Sequence, residues 1–224
     1  MMFARTEKLI GKDNLYKLKN SHVAIFGIGG VGGYVAEMLV RAGVGKLTII
    51  DFDKVDKTNI NRQIIALQST VGKFKVDVMK ERLLDINPSC VITTFKEKYL
   101  PDNRELFFKN NYDYVVDAID MVTSKVDLIK YCHDLNLNII SAMGAGNRYT
   151  VPEFKVVDIF KTYNDGLAKI VRKKLKELGV CKHTVAFTEN IANPSQDVIG
   201  SISYYPSMCG CVIAGHVVNE LIKL

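Results

Sequence analysis

The sequence lacks any apolar run that approaches the roughly 20 residues a helix needs to cross a bilayer. Residues 1–15 also carry charges where a signal peptide would need its apolar region, so we expect no export signal. From these two absences we predict a cytoplasmic protein that does not contact a membrane.

Cysteine is scarce, and its distribution argues against two kinds of site. The five cysteines are odd in number and scattered, which favours reduced thiols when no export signal is present. They form no C-x-x-C pair, so a four-cysteine zinc site is not expected. Two of them could hold a reactive thiol, but we interpret them as small residues where a helix packs closely: Cys209 and Cys211.

Length and composition set the scale of the fold. The chain has 224 residues, of which 48% are hydrophobic, enough for the core of one α/β domain or of one domain with a subdomain. We find no internal repeat, linker or low-complexity tract. The net charge of +6 favours an anionic partner.

The most informative stretch is residues 22–51. An apolar run typical of a strand ends in a glycine turn, a helix follows over 34–42, and a second strand ends in Asp51. Glycines let a phosphate approach the backbone, a helix N-terminus favours an anion, and a carboxylate at that strand end can bind ribose. The alternative is a tight turn that only packs. We predict a nucleotide site that includes Gly27, Gly29, Gly30 and Gly32.

The glycine motif does not say which nucleotide binds, and a nicotinamide dinucleotide is the default. The next segment argues against it, because acids, amides and an arginine crowd beside a strand end, where ligands bind in an open α/β sheet. Lys73 or Lys75 then opens a helix against the helix dipole, a placement that a nearby anion would favour. For one of the two lysines an exposed position is the simpler interpretation. The crowded residues are Asp53, Asn59, Asn61, Arg62 and Gln63.

A strand predicted over residues 113–120 runs into two acids, Asp117 and Asp120. Its apolar core is typical of a buried parallel strand, so both acids should lie on the same sheet edge as the glycine turn. For one of them, a cap on the following helix is the simpler interpretation. Asp120 is the candidate Mg²⁺ ligand, because a nucleotide phosphate nearby needs a hard cation.

Strands and helices alternate through residue 142. This predicts an α/β fold with a doubly wound, Rossmann-like, mostly parallel sheet, followed by a mixed C-terminal extension. One helix over 5–20 precedes the first strand. In the extension we predict a strand over 155–160, a helix over 165–178, a strand over 184–188, a mobile loop over 191–201 and a helix over 209–224.

The predicted helix over 165–178 carries positive charge around most of its circumference. Five cations stand against two acids, and this imbalance favours contact with nucleic-acid phosphates. The alternative is an ordinary solvated face, which charge runs usually are. The candidate contacts are Lys169, Arg172, Lys173 and Lys176.

Taken together, these motifs resemble the ubiquitin-activating-enzyme-like adenylating superfamily over roughly residues 5–146. The basic helix and the absent zinc cysteines make the chain most similar to the branch that acts on tRNA carrying threonylcarbamoyladenosine. The resemblance implies one adenylating domain over 1–224, with a nucleotide-binding part over 1–146 and a substrate-side part over 147–224. Its elements are Gly27-x-Gly29-Gly30-x-Gly32, Asp51-x-Asp53, Asn59-x-Asn61-Arg62-Gln63, Lys75, Asp117-x-x-Asp120 and Gly144-Ala-Gly146.

The resemblance also implies cofactors and partners. ATP and Mg²⁺ would be the cofactors, with the glycine backbone on the phosphates, Asp51 on the ribose and Asp120 on the metal. Arg5, a solvated charge on sequence grounds alone, would reach the partner's ATP site in a homodimer. A sulfur-transfer protein is a further partner that the resemblance suggests. The other nucleotide ligands would be Asp53, Asn59, Arg62, Gln63 and Lys75, and the catalytic residues would be Arg62, Lys75, Asp120 and Arg5.

The activity implied is adenylation of a carboxylate by ATP. In the tRNA-acting branch this carboxylate belongs to the modified adenosine, and an atom of the same side chain attacks the adenylate, so that a ring closes with loss of water. An enzyme cysteine is then unnecessary, because proximity supplies the advantage. Two alternatives remain open: activation of a ubiquitin-like sulfur carrier, and a dinucleotide-binding redox protein or nucleotide sensor.

Overall fold

The computed structural model describes residues 2–194 and 198–223. Within them, seven strands form one sheet: β1 (His22–Phe26), β2 (Lys46–Ile50), β3 (Val91–Phe95), β4 (Tyr114–Asp117), β5 (Ile139–Ala142), β6 (Phe154–Asp158) and β7 (Thr184–Thr188). Their order is β3-β2-β1-β4-β5-β7-β6. Every pair is parallel except β6 with β7. The predicted α/β fold with a mixed C-terminal extension is therefore confirmed.

The described residues also form seven α-helices, and none of these is both long and apolar enough to span a membrane. Helices α3, α4 and α7 cover one face of the sheet, while α5 and α6 cover the other. Their bounds are α1 (Ala4–Ile10), α2 (Lys12–Asn20), α3 (Gly32–Ala42), α4 (Lys75–Ile86), α5 (Val122–Asp134), α6 (Gly166–Glu177) and α7 (Tyr204–Ile222). Short 3₁₀ turns span Lys57–Asn59, Pro101–Leu106 and Ile159–Lys161.

Strand β1 shows why the sheet is parallel at its centre. Val23 and Ile25 pack into the core on the α3 side, whereas Ala24 and Phe26 pack into the core on the α5 side. A strand with apolar side chains on both faces needs cover on both faces, which the crossover helices of a parallel sheet supply.

Three predicted boundaries were wrong. The helix predicted over 5–20 is two helices, because Gly11 between them adopts a positive φ of 84° that ends one helix before the next begins. The strand predicted over 113–120 ends at Asp117, and the strand predicted over 155–160 gives way after Asp158 to a 3₁₀ turn.

The last helix also differs from expectation. Helix α7 begins at Tyr204 rather than Cys209, so it includes five residues that had no predicted element. The described residues of the predicted mobile loop, 191–194 and 198–201, form neither helix nor strand. Residues 195–197 of that loop lie outside the described residues, and its mobility remains a prediction.

Candidate nucleotide-binding site

The sheet creates a cleft where its strand order reverses. Strands β1 and β4 are neighbours, and the chain leaves them toward opposite sides, which is the point where open α/β sheets bind ligands. A cavity of about 840 Å³ lies there. The turn after β1, the loops after β2, β4 and β5 and the start of α6 all line it.

Close packing requires glycine at two positions of the turn after β1. A Cβ on Gly27 would lie 2.7 Å from the carbonyl oxygen of Ala118, and the φ of Gly27 is +91°. A Cβ on Gly32 would lie 1.8 Å from the carbonyl oxygen of Gly27. Gly27, Gly29 and Gly30 line the cavity, whereas the described lining does not include Gly32. Gly32 therefore lets α3 start against the turn, and the backbone that faces the cavity comes from the other three.

Asp51 ties the glycine turn to the loop after β2. Its Oδ2 accepts a hydrogen bond from the Ile28 amide at 2.7 Å, and its Oδ1 accepts one from the Asp53 amide at 2.9 Å. Burial raises the pKa of Asp51, and the nearby Lys75 ammonium opposes that shift. Each carboxylate oxygen keeps a second lone pair, so the side chain remains able to accept a hydrogen bond from a ligand hydroxyl.

The structure separates the two candidate lysines. Lys75 is the first residue of α4, is buried and lines the cavity. Its Nζ lies 2.7 Å from Oδ2 of Asp53, so one carboxylate holds the cation near the site. Lys73 is exposed. Lys75 is therefore the lysine that can meet a phosphate, and Lys73 fits the simpler interpretation of a surface charge.

The polar segment after β2 brings four predicted ligands to the cavity: Asp53, Asn59, Arg62 and Gln63. Asn59 Oδ1 accepts from the Asp56 amide at 3.0 Å, which shapes the turn. Arg62 Nη1 donates to the carbonyl oxygen of Thr58 at 2.9 Å. Gln63 is buried, and its Oε1 has no hydrogen-bond partner in the described structure. A buried amide oxygen without a partner is costly, which suggests that a ligand or water donates to it. Asn61 instead donates to the carbonyl oxygen of Ser201 at 2.9 Å.

The two acids after β4 have different surroundings. Asp120 is exposed and lines the cavity. Asp117 is fully buried, and its Oδ2 accepts from Lys125 Nζ at 2.7 Å. The expected helix cap was wrong: α5 begins after Met121 with no side-chain cap, because Asp117 faces Lys125 and Asp120 faces the cavity.

Lys125 was missed by the sequence reasoning. It is wholly buried on α5, and besides Asp117 it donates to the carbonyl oxygen of Ala142 at 3.1 Å. It thus joins the ends of β4 and β5 beneath the cavity. Lys125 shares a helix face with Leu128, Ile129 and Cys132, and a lysine on an apolar face was the available signal.

Two exposed carboxylates lie at the edge of the cavity, those of Asp120 and Glu97. Among the described residues, no three His, Cys, Asp or Glu side chains gather as a site built from protein ligands alone would require. Mg²⁺ beside a nucleotide usually takes one or two carboxylates and completes its shell with phosphate oxygens and water. The exposed carboxylates therefore fit a metal that arrives with a nucleotide, and Asp120 is the one that the sequence predicted.

Not all of the predicted nucleic-acid contacts on α6 are free to meet a partner. Lys169, Lys173 and Lys176 of α6 are exposed. Arg172 is half-buried, and its Nη1 donates at 2.7 Å to the carbonyl oxygen and to Oγ1 of Thr162. Three of the four predicted contacts are therefore available to a partner, whereas Arg172 already holds the segment before the helix.

The remaining candidates lie away from the cavity. Arg5 is exposed on α1 and is absent from the described lining of this chain's own cavity. Cys209 is fully buried, and burial raises its thiol pKa to about 12. A Cβ on Gly210 would lie 2.6 Å from the carbonyl oxygen of Val31. Close packing of α7 on α3, which we favoured over a reactive thiol, is thus confirmed for Cys209; Cys211 is half-buried.

The sheet is open, and the glycine turn lies where its strand order reverses. Arg62, Lys75 and Asp120 line the cavity at this point. These features define a nucleotide-binding α/β protein suited to phosphate chemistry. The chain belongs to the ThiF family, whose profile matches residues 3–224. The resemblance inferred from the motifs is thereby confirmed.

Similar proteins cover almost the whole chain. A tRNA threonylcarbamoyladenosine dehydratase of Bacillus subtilis is 42% identical over 99% of this chain and 94% of its own. The Escherichia coli dehydratase of the same name is 39% identical over 87% of this chain and 76% of its own. The crystal structure of E. coli TcdA in complex with ATP superposes with a TM-score of 0.94 at 35% identity, covering 99% of this chain and 93% of that one.

Proposed function

We propose that this protein is an ATP-dependent dehydratase that acts on N6-threonylcarbamoyladenosine in tRNA. The observation that carries the proposal is the nearly full-length likeness to dehydratases of that name, one of which was crystallised with ATP. The cavity supports the proposal, because it is lined by cations that can stabilise phosphate charge and by an accessible carboxylate that can bind a metal ion.

The atoms of this reaction balance without a nucleophile from the enzyme. A carboxylate oxygen of the threonyl group attacks the α-phosphorus of ATP, the bond from that phosphorus to the bridging oxygen breaks, and pyrophosphate leaves. An atom of the same side chain then attacks the activated carbonyl carbon and loses a proton. AMP departs with the carboxylate oxygen, and the net change in the nucleoside is the loss of one water.

Each step would depend on particular residues that line the cavity. The backbone of Gly27, Gly29 and Gly30 would receive phosphate oxygens, and Asp51 would accept from the ribose. Arg62 and Lys75 would stabilise the charge that grows on the phosphates as pyrophosphate leaves. Asn59, Gln63 and Asp53 would hold these groups in place, with the unpaired oxygen of Gln63 satisfied by a donor on the ligand or by water. Asp120 would hold Mg²⁺, which when bound supplies positive charge to the phosphate oxygens.

The tRNA would lie against α6 and the neighbouring part of the cavity. Lys169, Lys173 and Lys176 are exposed there, and α6 begins at the cavity wall. Phosphate contacts of this kind fix the position of a nucleic acid and do not read its sequence. We place the reaction in the cytoplasm, where such a substrate would be met; the sulfur-transfer partner remains a prediction.

A homodimer would complete the site. Helix α1 buries none of its residues in the single chain, and Leu9 on it is 85% exposed. Ile10 of α1 packs, partly buried, against the core of its own chain, and a second molecule would supply the rest of the packing that this helix needs. The partner's copy of α1 would then carry Arg5 toward the ATP phosphates, while the rest of the chain functions as one adenylating domain.

The test is to incubate the protein with ATP, Mg²⁺ and tRNA that carries threonylcarbamoyladenosine. We expect AMP and pyrophosphate to form and the modified nucleoside to lose the mass of one water molecule. An unchanged nucleoside would refute the proposal. Pyrophosphate released only when a ubiquitin-like carrier ending in two glycines is added would favour the sulfur-carrier alternative.

A further inference from the structure

The turn after β5 forms one wall of the cavity and is held by a buried arginine. Arg148 is 6% exposed and itself lines the cavity. Its Nη1 donates to the carbonyl oxygens of Gly144 at 3.0 Å and Gly146 at 3.1 Å, and its Nε donates to the carbonyl oxygen of Asn190 at 2.7 Å. The wall therefore has a defined position, set by hydrogen bonds from this side chain.

One carboxylate joins this wall to the basic helix. Oδ2 of Asp165 accepts from the Gly144 amide at 2.9 Å, and Oδ1 accepts from the Ala168 amide at 2.9 Å, as the N-cap of α6. Asp165 is buried, and Arg148 Nη2 lies 3.9 Å from its Oδ2. Because one rigid group serves both amides, the first turn of α6 cannot shift without moving Gly144 or breaking a bond.

The same helix carries the exposed lysines. Lys169 lies in its first turns, and Lys173 and Lys176 follow on the same rigid element. We propose that Asp165 is a positioning residue that couples RNA contact on α6 to the Gly144–Gly146 wall of the cavity, where the activated carbonyl must be held. This inference rests on the dehydratase function proposed above.

Substitutions of Asp165 can separate its role as the N-cap of α6 from the proposed coupling between α6 and the Gly144–Gly146 wall. Asp165→Asn leaves one acceptor oxygen and turns an amide group toward the second backbone donor, so one of the two bonds is lost. Asp165→Ser keeps a hydroxyl that caps a helix well but is too short to serve Gly144 as well. We expect both variants to lose at least tenfold in turnover at saturating tRNA, with ATP and tRNA dissociation constants within threefold of the parent.

The chain offers a matched control in the same segment. Oδ1 of Asp158 accepts from the Phe160 amide at 3.0 Å and caps the 3₁₀ turn before α6. The described lining of the cavity contains Asp165 but not Asp158. Asp158→Asn therefore removes a charge and weakens a cap without touching the wall, and we expect it to retain the parent turnover.

The experiment measures turnover by nucleoside mass, and binding of ATP and of modified tRNA separately, for the parent and all three variants. Reduced turnover with retained binding in both Asp165 variants, and normal turnover in Asp158→Asn, supports the coupling. Parent-like turnover in Asp165→Ser overturns it, and so does a loss of ATP binding, which would make the role structural. If the parent itself produces no dehydrated nucleoside, the proposed function fails first, and this inference fails with it.

Discussion

At the scale of single residues, surroundings decide which of two similar side chains can act. Lys73 and Lys75 are two positions apart, and the sequence could not choose between them. The choice comes from tertiary structure, since only Lys75 is buried beside Asp53 at the edge of the cavity. Asp117 and Asp120 also differ in their surroundings: Asp117 is buried in the core, and Asp120 lines the cavity.

The first prediction uses the two lysines as a pair. Lys75→Met should lower AMP formation by on the order of 100-fold, because it removes a preorganised cation from the phosphates. Lys73→Met removes the same charge from an exposed position and should stay within about twofold, since surface ion interactions are weak. Both rates are measured at saturating ATP and tRNA. Equal effects of the two changes would contradict the assignment.

The second prediction concerns His183, which is 2% exposed and hydrogen-bonded through Nε2 to Ser141 Oγ at 2.8 Å. Burial lowers its pKa from 6.5 to about 3. Between these values the unfolded chain binds a proton that the folded chain does not, so stability falls as pH falls, by up to about 1.4 kcal/mol per pH unit.

His183→Gln removes the titrating group, so its free energy of unfolding should depend less on pH. Urea unfolding at about pH 7 and about pH 5 should show the parent losing about 2 kcal/mol more than the variant. Parallel losses in the two proteins would mean that His183 is protonated in the folded chain at the lower pH.

At the scale of elements, the parallel strands were predictable and some helix ends were not. The segments 22–26, 46–50, 91–95 and 184–188 read as strands in the sequence and are β1, β2, β3 and β7 with those bounds, because apolar and β-branched residues between polar turns favour strands. The break at Gly11 was missed because the helical periodicity continues across it. In the predicted helix over 165–178, the spacing of Ile170 and Leu178 places them on the apolar face, yet they are 49% and 46% exposed, whereas Ala168, Val171 and Leu175 are buried.

The third prediction tests the buried pair that joins α5 to β4. Lys125 and Asp117 both have fully buried side chains. Lys125→Met should destabilise the fold by about 3–5 kcal/mol, because it leaves the Asp117 charge buried and without its partner. Adding Asp117→Asn should restore part of that loss, since an amide is neutral and can still accept from the Ile119 amide. Urea unfolding of the two single variants and the double variant measures the coupling, and additive losses would contradict it.

At the scale of the whole molecule, the functional groups gather on one edge of one sheet. Their types and spacing could be predicted because each follows a strand, and parallel strands end at the same edge. Arg148 and Asp165 could not, because their partners Asn190 and Gly144 lie 42 and 21 residues away along the chain. Arg5 is an exception among the predicted residues, since the role proposed for it requires a second molecule.

The fourth prediction tests that second molecule. Arg5→Ala and Lys75→Met should each be nearly inactive, but a mixture should recover up to about one quarter of the parent activity. Random exchange makes half the dimers mixed, and each mixed dimer has one intact site. Lys8→Ala, another exposed cation on α1, should remain active and serves as the control. No recovery, with exchange verified by native mass spectrometry, would contradict an arginine supplied across the dimer.

The proposed mechanism requires the substrate carboxylate to attack the α-phosphorus of ATP. Oxygen-18 placed in the threonyl carboxylate of the modified tRNA tests this step. We expect one labelled oxygen to appear in AMP, because AMP leaves with the oxygen that it received. Label in inorganic phosphate, or AMP without label, would contradict it.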